Sequence, residues 1–214
     1  MRLPSVAVLL FTFASASFVA AQEPPPRIGP FVIDVHGTLP NFPDDPQLAA
    51  SRGLQQADLP GLGLGVHAGA HVYVFKWKAM TVGLGGSIVA ARAHSSEKVV
   101  DGAVVSQAVT EKFSHAAPEL SFNFGNGNGW SYISGGIGLA KWSIVPDGSM
   151  PAAADEERLR TVSYGGGARW FIKKHLAFSF DVRFYQMDPG TPTIFGPGSP
   201  RTTQLIAGAG ISVK

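Results

Sequence analysis

The feature that most constrains the fold is a period-2 alternation of apolar and polar residues. It is clearest between Leu62 and Val74, where Leu, Val or Ala at every second position opposes Gly or His. Successive side chains of a β-strand point to opposite faces of a sheet, so this alternation predicts strands. The 26 glycines among 214 residues suit curved sheet rather than helix, because glycine disfavours helices. The sequence predicts an all-β chain.

Eight such segments are joined by connections that alternate in length. The segments cover residues 31–39, 62–74, 80–90, 120–124, 130–142, 162–172, 176–185 and 205–213. Short connections fall at 75–78, 125–129 and 173–175, and four polar, longer ones lie between the other neighbours. An even-stranded membrane barrel has short turns on the side of its termini and long loops opposite. We therefore predict an eight-stranded antiparallel up-and-down transmembrane β-barrel, with three short periplasmic turns and four external loops.

The apolar face of the segments carries almost no charge, whereas a soluble exterior needs many charged side chains. This favours an apolar face in lipid and a polar face inside the barrel. Charges of both signs occur on the polar face and are predicted to pair as an interior polar network of Asp34, Glu119, Arg169, Asp181 and Arg183. The alternative is a secreted soluble lipocalin-like barrel, whose apolar face would point inward and bind a hydrophobic ligand.

Aromatic residues cluster near the predicted strand ends. Such residues form girdles at the membrane interface of barrels. The predicted interface aromatics are Phe75, Trp77, Trp130, Tyr132, Trp170 and Phe171. The fifth segment cannot be oriented, because Ile133, Ile137 and Leu139 lie on one face and Trp130, Tyr132 and Trp142 on the other.

The beginning of the chain has the pattern of an export signal. Arg2 precedes an apolar run at 6–13, and small residues at 19–21 precede an expected cleavage before Gln22. We expect a secretory signal peptide over residues 1–21, a proline-rich linker over 22–29 and the barrel domain over 30–214. The expected location is the bacterial outer membrane, after export through the periplasm.

One hairpin carries a resemblance to a known family. Residues Ser163 to Tyr185 combine the glycine-rich Gly165–Gly167, a basic turn at Lys173-Lys174-His175, and Asp181 and Arg183 on one strand. This stretch resembles the penultimate hairpin of the small outer-membrane β-barrel domains related to OmpA and OmpX. The resemblance implies an eight-stranded barrel with these charges inside. These barrels commonly end on an aromatic residue, whereas this chain ends Ile211-Ser212-Val213-Lys214.

The sequence offers few groups for catalysis or metal binding. On a strand, His67 and His71 are about 13 Å apart and cannot share an ion, so they are interpreted as inward structural histidines. His94 and Ser96 have the spacing of some outer-membrane lipid A deacylases, but in those enzymes the pair lies on the final strand. No catalytic residue, metal site or cofactor is predicted. The acidic residues at 44–45 and 155–157 are interpreted as solvated loop charges.

The expected function is a structural or loop-mediated interaction role, and not that of a diffusive porin, because side chains fill a barrel of eight strands. The alternatives are a lipid-modifying hydrolase and the soluble lipocalin-like barrel. Outer-membrane lipid and lipopolysaccharide are the expected partners of a monomer. A net charge of +2 gives no reason to expect nucleic acid.

Overall fold

The computed structural model describes residues 27–194 and 196–214. The predicted signal peptide and residues 22–26 of the predicted linker lie outside this part. The strands are β1 (Phe31–Asn41), β2 (Leu64–Trp77), β3 (Met80–Ser95), β4 (Lys98–Val100), β5 (Ala103–Ser106), β6 (Val109–Asn126), β7 (Gly129–Pro146), β8 (Arg158–Phe171), β9 (Leu176–Met187) and β10 (Thr202–Val213). Two short helices are α1 (Pro46–Ala50) and α2 (Ala153–Glu156), and a 3₁₀ turn covers Gln56–Asp58. No helix in the described residues is long and apolar enough to cross a membrane.

Eight of the strands form a closed antiparallel barrel in the order β1-β10-β9-β8-β7-β6-β3-β2. The barrel closes where β1 pairs with β10, from Ile33 opposite Val213 to Asn41 opposite Leu205. Closure leaves the barrel sheet without an unpaired edge. The predicted eight-stranded, all-β, up-and-down barrel is confirmed.

The connections alternate as predicted. Short turns at 78–79, 127–128 and 172–175 lie at the end that holds both ends of the barrel domain. The other end carries four long loops, which we call L1 (42–63), L2 (96–108), L3 (147–157) and L4 (188–201). Strands β4 and β5 form a separate two-stranded hairpin within L2.

Several strands are longer than predicted. Strand β3 continues to Ser95, so His94 lies on a strand rather than in a loop. Strand β6 begins at Val109 although the apolar alternation begins only near Leu120. Ladder hydrogen bonds use backbone groups, so pairing continues beyond the apolar part of each strand. Likewise, β2 runs through the predicted 75–78 connection to Trp77, with a register shift between Tyr73 and Phe75.

The apolar face of the barrel points outward. Ile33, Leu84 and Ile133 are exposed by 48%, 52% and 55%, whereas polar side chains on the opposite faces are buried. An aqueous exterior of this composition would be unfavourable, because burying apolar surface away from water is the main driving force of folding. The lipocalin-like alternative required the opposite orientation and is wrong.

Glycines on the inward face make room for large polar side chains. A Cβ added to Gly165 would lie 2.2 Å from the carbonyl oxygen of Val182 and 2.8 Å from Cγ of Arg183. A Cβ added to Gly167 would lie 2.8 Å from the hydroxyl of Tyr132. These glycines therefore allow bulky groups to fill a narrow lumen.

Candidate functional site

Near the short-turn end, the lumen is crossed by a charged pair. Arg169 on β8 donates from Nε and Nη2 to the two carboxylate oxygens of Asp34 on β1, at 2.8 and 2.6 Å. Ser212 also donates to Asp34. The guanidinium carbon lies 3.8 Å from the ring centroid of Tyr132. Because both charges are buried, the bidentate geometry and added contacts offset the cost of removing them from water.

A second cluster lies beside the first. Arg183 donates to Asp181 at 2.8 Å, to Glu119 at 2.6 Å and to Ser134 at 2.7 Å. Tyr132 donates its hydroxyl proton to the other oxygen of Asp181 at 2.7 Å. The five charged residues predicted for the interior thus all lie inside, and they form two clusters adjoining at Tyr132. The sequence could not assign these partners, which lie up to 135 residues apart.

Four histidines also point into the lumen. His36 stacks on His67 with ring centroids 5.5 Å apart, and it contacts the Ser179 hydroxyl at 2.8 Å. His71 lies 3.4 Å from Glu119, and His115 packs edge-on against Tyr185. His67 and His71 are therefore inward, with different neighbours. Residues 27–194 and 196–214 contain no group of three or more His, Asp or Glu side chains able to hold a metal ion.

Toward the long-loop end, the filling of the lumen becomes mostly apolar. Leu48, Ala49, Leu54 and Leu59 of L1 are buried in one cluster with inward side chains of the strands. The strand members include Val109, Phe113, Trp142, Ile144, Leu159, Met187 and Ile206. Asp45 caps α1 by accepting hydrogen bonds from the backbone N–H groups of Gln47 and Leu48 at 2.7 and 3.2 Å. L1 therefore folds into the mouth of the barrel and closes it.

A buried ion pair joins three of the loops. Arg52 of L1 donates from Nε to Asp155 of L3 at 3.0 Å and from Nη2 to Ser199 of L4 at 2.7 Å. Asp155 also accepts from the backbone N–H groups of Ile144 and Ala152, at 3.0 and 2.8 Å. The interpretation of Asp155 as a solvated charge is wrong, since it is 1% exposed. Periodicity carries no signal for such loop contacts.

Asp58 links L1 to L2 by hydrogen bonds. Its carboxylate accepts hydrogen bonds from the backbone N–H groups of Gln55 at 2.8 Å and Gln107 at 2.9 Å. Burial raises the pKa of Asp58, but hydrogen bonding outweighs burial and leaves the pKa below its ordinary value of 3.8. The ionised form of Asp58 therefore stabilises the folded arrangement of these loops.

The predicted girdle of aromatics divides between the two faces. Phe75, Trp77 and Trp170 are exposed by 50 to 59% and point outward. Trp130 and Tyr132 are each 3% exposed and point into the lumen, so their assignment to the membrane interface is wrong. Phe171 stacks on Trp130 with centroids 4.9 Å apart, and the Lys214 ammonium lies 3.8 Å from its ring. Tyr132 points inward because its hydroxyl hydrogen-bonds to Asp181 of the polar network. Trp130 lies two residues away on the same strand and therefore points to the same side.

The deacylase arrangement is not formed around His94. His94 points outward, and Nδ1 lies 3.2 Å from the Thr110 hydroxyl, which donates to Asp147 at 3.2 Å. In the described part of the chain, no hydrogen bond joins His94 to a serine. The neighbouring Ser95 donates to the carbonyl oxygen of Asp58 instead.

The hairpin formed by β4 and β5 carries a group of exposed apolar side chains. Its residues Val99, Val100, Val104 and Val105 are exposed by 54%, 54%, 57% and 47%. It pairs with itself and joins none of the barrel strands. L2 thus presents a small apolar surface outside the barrel wall.

No protein-family model and no curated protein matches the sequence. Solved structures do match it. Neisserial surface protein A (NspA) aligns over 87% of this chain and 97% of its own, with 12% identity and a TM-score of 0.55. Ail, the attachment invasion locus protein of Yersinia pestis, solved with the heparin analogue sucrose octasulfate, aligns over 85% and 97%, with 14% identity and a TM-score of 0.50. Both are small eight-stranded outer-membrane barrels, which confirms the fold that the hairpin resemblance implied.

Proposed function

We propose that the protein is an integral outer-membrane barrel that acts through its external loops and not as a pore or an enzyme. The outward apolar face and the likeness to outer-membrane barrels support this location. The short turns then face the periplasm, and L1 to L4 face the outside of the cell. The monomer suffices for this role, since the barrel is closed within one chain.

The observation that carries the proposal is the contrast between a filled lumen and an exposed hairpin. Charged pairs fill the barrel near the short turns, and L1 closes it at the opposite end. Leu48, Leu54 and Leu59 of L1 are buried in the cap, whereas four valines grouped on β4 and β5 are exposed. Apolar residues grouped on a protruding element are typical of contact surfaces for proteins. We infer that this hairpin makes the contact.

The barrel itself is tested by refolding the mature protein into detergent and comparing boiled with unboiled samples on a denaturing gel. A mobility shift is expected, because a closed barrel stays folded until heated. Planar-bilayer recordings should show no stable conductance. Full solubility without detergent, or steady ion flow, would contradict the proposal.

The loop role is tested by placing a photo-crosslinking amino acid at Val100 in intact outer membranes. A discrete protein adduct is expected there. Val35, which is 51% exposed on the barrel wall, serves as the matched control and should give lipid adducts alone. Identical adducts at both positions would remove the evidence for a hairpin contact.

The hydrolase alternative has its own test. His94→Ala should leave the fatty acyl composition of lipid A in producing cells unchanged. A change caused by the wild-type protein and abolished by this substitution would establish an enzyme instead.

A further inference from the structure

Five basic side chains form a patch on the outer wall of the barrel near the long loops. They are Arg92 on β3, Lys112 on β6, Lys141 on β7, and Arg158 and Arg160 on β8. Four of them are exposed and Lys141 is partly exposed. The four strands are consecutive neighbours in the barrel, so the side chains belong to one surface. We call this surface the basic patch.

The patch occupies one side of the barrel. The outward positions of β1, β9 and β10 carry no Lys or Arg over the described strands. Arg201 of L4 is near this opposite side, but it lies 3.3 Å from Asp188 and is paired. A general preference for cations at the membrane surface would distribute them around the rim. A patch confined to one side indicates a local ligand.

The height of the patch matches the boundary of the apolar wall. Along β6 the outward positions are apolar from Phe124 up to Ala116, and Lys112 follows two outward positions later. Twelve strand residues tilted by about 40° span about 30 Å, close to the height of a membrane barrel's apolar band. Lys112 therefore lies at the level of lipid headgroups in the outer leaflet.

Beneath the patch runs a furrow in the apolar wall. Its floor consists of small outward residues on β6, Ser114, Ala116 and Pro118. Its walls are Ile88 on β3 and Leu139 on β7, both of which lie directly opposite Ala116 in the sheet. The space has a volume of about 560 Å³, and Lys141 and Arg158 line it. A second space of about 800 Å³, lined by Arg92, Lys112 and Lys141, shares Ser114 and Lys141 with it.

Most of the basic side chains in the patch have no carboxylate partner among the described residues. Lys141 is paired with Glu156, and Asp147 accepts a hydrogen bond from Thr110 beside Arg92. Within the described residues, Arg92, Lys112, Arg158 and Arg160 make no ion pair with a carboxylate. The carboxylates of Glu156 and Asp147 line the larger space together with Arg92, Lys112 and Lys141. Phosphate groups suit such a surface because each oxygen accepts charge-assisted hydrogen bonds from Arg and Lys.

We propose that this surface binds a phosphorylated, multiply acylated glycolipid of the lipid A class. Its phosphates contact the basic patch, and one acyl chain lies along the furrow on β6. The proposal rests on the proposed function, since the long loops must face the leaflet that holds this lipid. It adds a specific lipid-binding site to a barrel that otherwise contacts lipid through apolar side chains.

The first experiment measures binding of bisphosphorylated lipid A to the refolded barrel in a neutral detergent. The variant Arg92→Gln/Lys112→Gln is expected to raise Kd about tenfold, because it removes two exposed ionic contacts with phosphate. The matched control, Lys173→Gln/Lys174→Gln, removes the same charge in the turn at the opposite end and should change Kd less than about twofold. Arg158→Gln/Arg160→Gln provides an independent second variant with the same expected direction.

The second experiment separates headgroup from acyl chain. Ala116→Leu fills the floor of the furrow and should weaken binding of lipid A. It should leave binding of a deacylated glucosamine-disaccharide bisphosphate unchanged. Dephosphorylated lipid A should bind the basic-patch variants and the turn control alike, because it has no phosphate for the patch to contact. Inorganic phosphate should compete weakly, whereas competition as strong as that of lipid A would assign the patch to free phosphate and overturn the lipid-binding site.

Equal Kd values for the basic-patch variants and the turn control would also overturn the proposal. Each variant is first checked for the heat-dependent mobility shift of a folded barrel. A basic-patch variant that shifts normally and still binds like wild type refutes the lipid-binding site and leaves the proposed function intact. A wild-type protein that shows no shift refutes the proposed function itself.

Discussion

Arg169 and Asp34 meet across the lumen although β8 and β1 are separated by two other strands. The two hydrogen bonds, 2.8 and 2.6 Å long, run in parallel between a guanidinium and a carboxylate that are both buried. This geometry satisfies each charge with the other. The pair therefore connects two strands that are not neighbours in the sheet, a contact that the backbone ladder cannot make.

Removing one member of this pair should strongly destabilise the barrel. Arg169→Met leaves Asp34 with an uncompensated buried charge, which costs about 3–5 kcal/mol. Urea unfolding in detergent, followed by the gel shift, measures the loss. Asp34→Asn combined with Arg169→Met should recover part of it, because no charge then stays buried.

The exposed pair Arg201–Asp188 is the control for that experiment. The two side chains are exposed by 63% and 47%, so the solvent screens their attraction. Arg201→Met should leave the unfolding midpoint nearly unchanged. A loss as large as that of Arg169→Met would show that burial is not what makes the lumen pair important.

Glycine is required at Gly165 because of the space it leaves. Gly165→Ala places a methyl group against Val182 and Arg183, and overpacking of this kind costs about 1–3 kcal/mol. Gly37→Ala is the matched control on β1, since its nearest atom lies 4.0 Å from the added Cβ. Comparable unfolding midpoints for both variants would contradict a filled lumen.

The Arg52–Asp155 pair should stabilise the arrangement of the loops and have little effect on the stability of the barrel. Arg52→Met removes the hydrogen bonds from L1 to L3 and L4 and leaves Asp155 with backbone partners alone. Limited proteolysis should cut within L1 or L3 faster than in wild type. A loss of about 1.4 kcal/mol in the free energy that favours the closed loops corresponds to a tenfold faster cut. The heat-dependent mobility shift should persist. Loss of the shift would mean that the cap is needed for the barrel to fold.

The contact between L1 and L2 should weaken in acid. The pKa of Asp58 is lower in the folded loops than its ordinary value of 3.8, so its contribution to stability is complete above that value. The contribution is lost as the pH falls through the lower, folded value. Hydrogen exchange at the backbone N–H of Gln107, corrected for intrinsic rates, should show this loss of protection below about pH 4.

Asp58→Asn is the control for the acid effect. The amide cannot ionise, so the protection of Gln107 in this variant should not change over the same pH range. Parallel pH profiles for wild type and variant would assign the acid effect to another group.

The sequence by itself determined the number of barrel strands and their antiparallel order, because alternation and connection length are local properties of the chain. The low charge of the apolar face favoured its outward direction, which the structure then decided. The sequence also indicated that Asp34, Glu119, Arg169, Asp181 and Arg183 share the inner face, because parity along a strand assigns each side chain to one side. Strand ends were less predictable, since backbone pairing continues past the last apolar residue.

The tertiary structure decided which side chains meet. Parity could not orient β7, whose Trp130 and Ile133 are both apolar on opposite faces; the lumen contacts of Tyr132 decide it. Strand parity also could not predict the contact between Arg52 and Asp155, because these residues lie in different loops. Such pairings depend on barrel closure, which brings together strands and loops that are distant in the sequence. The sequence therefore specifies the wall of the barrel, and closure specifies its interior partners and its cap.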